Sequence, residues 1–243
     1  MGISILKSKI SLKKRIATAE EFRQCKNQKF NSCEESDLLV VKDLSIYYGC
    51  CGVIQNLSFS IKSGGIVSIV GNNGSGKSTF LKTLAGIHEH FCGKFSWNFS
   101  CGKNEVIGYL PQHAEVNRYL SIQVQDVVGM GVGAKKKKCA VDRALACLGL
   151  TNEASRYIGT LSGGQFQRML FARLLAMDLD IFLLDEPFIS MDETSQNILI
   201  EQLFVQSKNG KTFFLAHHQD SAISPYCKHI LKLFPGTYCW SST

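Results

Sequence analysis

The stretch from Gly71 to Thr79, "GNNGSGKST", restricts the fold more than any other part of the chain. Before it stands "IVSIV", Ile66 to Val70, apolar nearly throughout, as a strand buried on both faces of a sheet has to be. After it, "STFLKTLAG" reads as a helix with Phe80, Leu81 and Leu84 on one side and Gly86 as its stop. A glycine loop between a buried strand and a helix lets backbone N–H groups converge on phosphates, and the helix start adds its positive end. The pattern G-x-x-x-x-G-K-[ST] therefore makes Gly71, Asn72, Asn73, Gly74, Ser75, Gly76, Lys77, Ser78 and Thr79 an expected nucleotide cradle. Lys77 would reach the terminal phosphates, and Ser78 would hold Mg²⁺.

Such a loop needs a carboxylate near its metal, and "IFLLDEP" supplies one at the tip of an apolar strand. Asp185 is placed to serve Mg²⁺; Glu186, beside it, can orient or deprotonate the water that attacks the terminal phosphate. Further strands are expected at "DLLVVKDLSIYYG", "NLSFSIKSGG", "EVIGYLPQ" (105–112) and "KTFFLAHH". Helices are expected over "FQRMLFARLLAM" and Glu193 to Gln206. From Ser121 to about Arg156 the strand signals vanish, and "VQDVVGM" and "CAVDRALACLGL" read as two helices flanking a glycine and lysine loop. The economical description is an α/β sheet interrupted by a helical insertion, over about 113–160. Residues 1–36 show no clean period and read as a basic extension ahead of a domain spanning 37–243.

A second glycine pair stands far downstream, in "TLSGGQFQR". Taken with "GNNGSGKST", "YLPQ", "IFLLDEP", "SMD" and "AHH", in this order and at these intervals, it resembles the ATP-binding cassette ATPases of membrane transporters over about residues 38–235. The resemblance implies a P-loop NTPase, RecA-like core with an antiparallel β subdomain and an inserted helical subdomain. It also implies roles. Tyr48 would stack on adenine, with Tyr47 as the neighbour to test next. Gln112 would contact Mg²⁺ or the attacking water and link the ATP site to the insertion. Ser162, Gly163, Gly164 and Gln165 would close on ATP held by a second copy, and Asp192 would lie in the loop that crosses to it. "LAHHQD" offers two switch histidines. The family's usual strand length selects His218 over His217, although the usual aspartate after the histidine is replaced by Gln219.

Within the family, "IGYLPQHAEVN", "VQDVVGMG", "RYIGTLSGGQ" and "DEPF" resemble the ATPases of manganese, zinc and iron importers. Asn117-Arg118 depart from that branch, which has an Asp-Trp-like pair there. Siderophore or haem uptake is the alternative substrate reading. A soluble, non-transport cassette ATPase is the alternative of another class, whereas a P-loop kinase has no use for the LSGGQ stretch. The resemblance implies ATP and Mg²⁺ as ligands, a homodimer, an integral membrane permease, a solute-binding protein acting indirectly, and a peripheral place on the cytoplasmic face of the membrane. The end of the chain soon after "HILKLFPG" suggests no C-terminal regulatory domain.

Composition narrows the remaining options. The net charge of +7 invites a nucleic-acid reading. However, residues 1–36 hold eight lysines and arginines against four glutamates, and Lys135 to Lys138 add four more positive charges. The rest is nearly neutral, so no nucleic-acid partner is expected. The ten cysteines show no C-x-x-C pair and read as reduced thiols. No run of eighteen apolar residues and no secretory apolar core occur, so neither a membrane span nor export is expected.

Overall fold

A computed structural model of the protein describes residues 37–49, 51–99, 107–112, 116–134, 137–218, 222–234 and 236–242. The basic extension at 1–36, Lys135 and Gln219 lie outside the described residues. Strands β1 (Leu39–Tyr48), β2 (Cys51–Ile61) and β4 (Phe91–Trp97) form an antiparallel sheet in the order β2-β1-β4. The larger sheet runs β5-β6-β7-β3-β8-β9, from β3 (Gly65–Gly71), β5 (Ile107–Leu110), β6 (Ile181–Asp185), β7 (Thr212–His217), β8 (His229–Phe234) and β9 (Thr237–Ser242). All its pairings are parallel except β8 with β9.

Alternate residues of the central strands supply opposite faces, as a pleated strand requires. Phe182, Leu184, Phe213 and Leu215 belong to one apolar cluster with residues of helices α2 (Val124–Val128), α3 (Lys137–Cys147), α4 (Gly163–Ala176) and α5 (Glu193–Lys208). Ile181, Leu183, Phe214 and Ala216 face the other way, against α1 (Lys77–Leu84) and the antiparallel sheet. These side chains are almost fully buried, and burial of each phenylalanine, leucine or isoleucine among them contributes roughly 1.5–3 kcal/mol. The layers are thus antiparallel sheet, α1, central sheet, then α4 and α5, with α2 and α3 packed beyond α4. Among the described residues no helix is long and apolar enough to cross a membrane.

Three strands were not expected from the sequence: β4, β8 and β9. In β4, "FCGKFSW" is interrupted by Gly93 at φ 87°, where a side chain would collide with the Asp43 backbone. Asp43 is itself left-handed at φ 50°, and the β1–β4 register shifts between Lys42 and Ser45. The glycine that broke the sequence pattern marks a bulge. The lysine run is also corrected in part, since Lys137 and Lys138 begin α3 instead of lying in a loop.

Edge strand β9 ties the two sheets together. The Tyr238 hydroxyl donates to the Asn56 carbonyl at 3.1 Å and accepts from the Ser58 N–H at 3.3 Å, while Trp240 stacks on Phe59 with centroids 4.3 Å apart. Tyr238→Phe is expected to lower stability by about 0.5–1.5 kcal/mol, the net worth of such bonds. Urea unfolding checks this, and an unchanged midpoint would show that the hydroxyl bridge contributes nothing.

Candidate nucleotide site

The parallel strands bring their carboxyl ends to one edge of the sheet, where open α/β folds bind ligands. The phosphate loop leaves β3 there. Gly74 and Gly76 have φ 81° and 97°, in the left-handed region. A side chain at Gly76 would collide with Val53 of β2, so the antiparallel sheet closes over the loop. No side chain caps the start of α1 and no acid lies in its first turn, which leaves its N–H groups for an anion. Lys77 is 5% exposed, and its ammonium donates to the carbonyls of Gly71 at 2.8 Å and Asn72 at 3.4 Å. Asn72, Asn73 and Gly74 are exposed along the loop, whereas Ser75 is buried. Thr79 lies in the first turn of the helix and its carbonyl accepts from the Thr83 hydroxyl at 2.8 Å.

Beside the loop, the Ser78 hydroxyl donates to Asp185 Oδ1 at 3.0 Å and the Tyr109 hydroxyl approaches Oδ2 at 3.4 Å. Burial pushes the Asp185 carboxyl up, against the lowering effect of the Ser78 bond. Burial, followed by the Asp185 charge, likewise pushes the Tyr109 phenol up. An anion held by neutral hydroxyls in a buried corner, with all donors oxygen, fits a small hard cation such as Mg²⁺.

Glu186 gathers the remaining groups. It holds φ 51°, a costly value for a non-glycine residue, and its N–H donates to the Ala216 carbonyl of β7 at 2.9 Å. Its Oε2 accepts from Gln112 Nε2 at 3.1 Å and lies 3.6 Å from His218 Nε2; its Oε1 is 3.8 Å from Lys77 Nζ. The two histidines separate sharply. His218 is 60% exposed on its side chain and faces Glu186, whereas His217 is 3% exposed within β7. His217 Nδ1 lies 2.7 Å from the His218 carbonyl, which can only accept, so Nδ1 carries the proton and Nε2 accepts from the Ser68 hydroxyl at 2.8 Å. It is a satisfied core histidine.

Ser162 caps α4 in a reciprocal box with Gln165. Its hydroxyl accepts from the Gln165 N–H at 3.2 Å, and Gln165 Oε1 accepts from the Ser162 N–H at 3.0 Å. A side chain at Gly163 would lie 3.1 Å from the Ser190 carbonyl, and one at Gly164 would lie 2.6 Å from the Ser195 hydroxyl. Asp192 caps α5 by accepting from the Ser195 N–H at 2.7 Å, and that bond holds its carboxyl below its usual range. The structure therefore brings the signature residues and Asp192 into one patch. Tyr48, at the end of β1, is 71% exposed.

The family model described as "ABC transporter" matches residues 54–189, through the phosphate loop, the signature and the acidic strand end. The chain belongs to the ABC transporter family. This cassette is 36% identical over 204 residues to a manganese transport system ATP-binding protein of Halalkalibacterium halodurans, covering 79% of this chain and 81% of that one. It is 32% identical over 179 residues to a zinc import ATP-binding protein of Ehrlichia canis, covering 72% of each. Among solved structures, it matches a transporter described as being of the metal-chelate ABC type, in an inward-facing conformation, with TM-score 0.75 and 30% identity over 85% of this chain and 84% of that one. The cassette is thus an ATP-binding and ATP-hydrolysing transporter subunit with the P-loop NTPase fold.

Two residues of the cassette gain contacts that the sequence reading did not assign. Tyr109 opens "YLPQ", but only the pairing of β5 with β6 brings it to Asp185. Arg118, noted as a departure from the metal branch, donates to the Leu161 carbonyl and sits over the Phe166 ring at 4.6 Å, bracing the signature turn. No sequence signal joins these positions, which are more than forty residues apart.

Burial, ahead of any other influence, depresses the His217 pKa. As pH falls, the unfolded chain takes up a proton at this residue before the folded one does. The stability carried by neutral His217 is complete above the ordinary value of 6.5 and is lost as pH falls through the depressed folded value. The thermal midpoint is expected to drop as pH falls below the ordinary value of 6.5, and to drop less in His217→Gln. Equal drops in both proteins would remove His217 as the source.

Proposed function

We propose that this cassette powers an importer of divalent metal ions, with manganese, zinc and iron as the candidate cargo, from the cytoplasmic face of the membrane. The convergence of Lys77, Gln112 and His218 on Glu186, next to the Ser78–Asp185 pair, carries the catalytic part of this reading. Similarity to manganese and zinc transport ATPases supports the cargo. In this reading residues 37–243 are the ATPase domain, and about 113–160 its inserted helical subdomain.

Tyr48 stacks on adenine, and the N–H groups from Gly71 to Thr79, together with Lys77, hold the phosphates. Ser78, Asp185 and Gln112 would hold Mg²⁺, which when bound would neutralise phosphate charge. Glu186 takes a proton from the attacking water, Gln112 keeps that carboxylate turned toward it, and His218 contacts the terminal phosphate. Ser162, Gly163, Gly164, Gln165 and Asp192 act on ATP held by a second copy. The start of α4 suits an anion, and the Ser162 hydroxyl, already accepting from Gln165, keeps its own proton to donate. ATP is then bound between two copies, and loss of the terminal phosphate lets them part. A membrane permease converts that motion into transport, and a solute-binding protein serves the permease without touching the cassette.

Glu186→Gln is expected to keep ATP binding, lower turnover by about 10²–10⁴-fold and trap an ATP-dependent dimer visible by size-exclusion chromatography. Near-normal turnover would remove Glu186 from the role. Ser162→Arg is expected to abolish ATPase activity while the monomer binds ATP normally; surviving activity would exclude a site shared between copies. For the cargo, the chain co-expressed with its permease should drive ATP-dependent uptake of manganese, zinc or iron ions. Uptake of a siderophore or haem alone would replace the metal-ion reading, and failure to associate with any permease would favour a soluble ATPase.

A further inference from the structure

Tyr48 presents a problem that the phosphate loop does not. A ring that stacks on a base binds it more tightly when it is already held in one orientation, yet this one is 71% exposed at the end of a strand. The segment His88 to His90, in the connection from α1 to β4, supplies what holds it.

Three contacts converge there. The Tyr47 N–H donates to the His90 carbonyl at 2.9 Å. His88 Nε2 lies 2.8 Å from the Tyr47 carbonyl, and since a carbonyl can only accept, Nε2 carries the proton and donates. The peptide groups on both sides of Tyr47 are therefore gripped by the same short segment. The third contact is between rings: His88 and Tyr48 lie nearly parallel, 9° apart in plane with centroids separated by 6.4 Å. His88 is in turn anchored, because its N–H donates to the Lys82 carbonyl at 3.1 Å and the Ile87 N–H donates to the same oxygen at 2.9 Å. That oxygen belongs to the last turn of α1, the helix whose first turn follows the phosphate loop. On the other side, Val53 of β2 rests against Gly76, so the strand pair that carries Tyr48 is seated on the loop itself.

We propose that His88 is a positioning residue for nucleobase binding, which fixes the Tyr48 ring before ATP arrives. This rests on the reading of Tyr48 as the base contact. The carbonyl bond sets the imidazole's orientation, the imidazole backs the phenol, and α1 links the support of the base to the loop that takes the phosphates. A preordered ring loses less side-chain freedom on binding, so removing the support weakens binding through its base and leaves binding through its phosphates intact.

The test uses the full chain and two probes, ATP and inorganic tripolyphosphate, with binding followed by titration calorimetry. His88→Ala is expected to weaken ATP about three- to tenfold, the size of effect that ordering one such side chain produces, and to leave tripolyphosphate within about twofold. His88→Phe, which keeps a ring but loses the bond to Tyr47, is expected to recover part of the loss. In the ATPase assay the KM for ATP should rise by a larger factor than kcat falls. Equal weakening of both probes would make His88 a structural residue and overturn the proposal. Tyr48→Ala separates the two readings: if it weakens ATP and His88→Ala does not, the role of His88 fails alone. If Tyr48→Ala leaves ATP unchanged, the base contact is misassigned and the inference falls with it.

Discussion

Two adjacent carboxylates leave the end of β6 in a corner almost closed to water, and much of the surrounding structure exists to make that arrangement tolerable. Asp185 and Glu186 are 2% and 9% exposed. Buried charge without partners is strongly destabilising, so each acid has to be met from a different direction. Asp185 is met by hydroxyls from α1 and β5. Glu186 is turned aside by its left-handed backbone, which is held by a bond to β7, and faces a lysine, an amide and an imidazole from three separate connections. Parallel strands in the order β5-β6-β7-β3 are what place those connections at one edge. The acid pair is thus served by a strand order that hydrophobic burial holds in place.

How much of this could be read in the sequence depends on how local each signal was. The phosphate loop, the apolar strand ending in acid and the signature helix are contiguous runs with their own periodicity and capping, so their elements lie where expected. Strand β4 escapes the sequence because Gly93 interrupts the apolar side formed by Phe91, Phe95 and Trp97 at a bulge, and a bulge is defined by the neighbouring strand. Strands β8 and β9 escape it for a related reason: Lys232 interrupts the short apolar run of the inner strand β8, the edge strand β9 is mostly exposed, and the place of both comes from pairing. The adjacent histidines show the limit most clearly. Residue type cannot separate His217 from His218, but strand pleat sends one to Ser68 in the core and the other to Glu186.

The glycines of the signature carry a second lesson. The resemblance read in the sequence assigns them to ATP held by a second copy. The structure gives Gly163 and Gly164 an additional reason, close contact with the Ser190–Ser195 segment inside the same chain. The two reasons are compatible, since the packing secures the position from which the N–H groups of α4 face outward. A substitution there would disturb both, so loss of activity alone could not say which had failed.

That packing has a mechanical result. Because Gly164 is pressed against Ser195, the first turns of α4 and α5 have no room to slide past each other, and each is fastened by its own polar cap. Whatever surface comes up against one helix end meets the other at a set spacing, as a key meets two pins in one barrel.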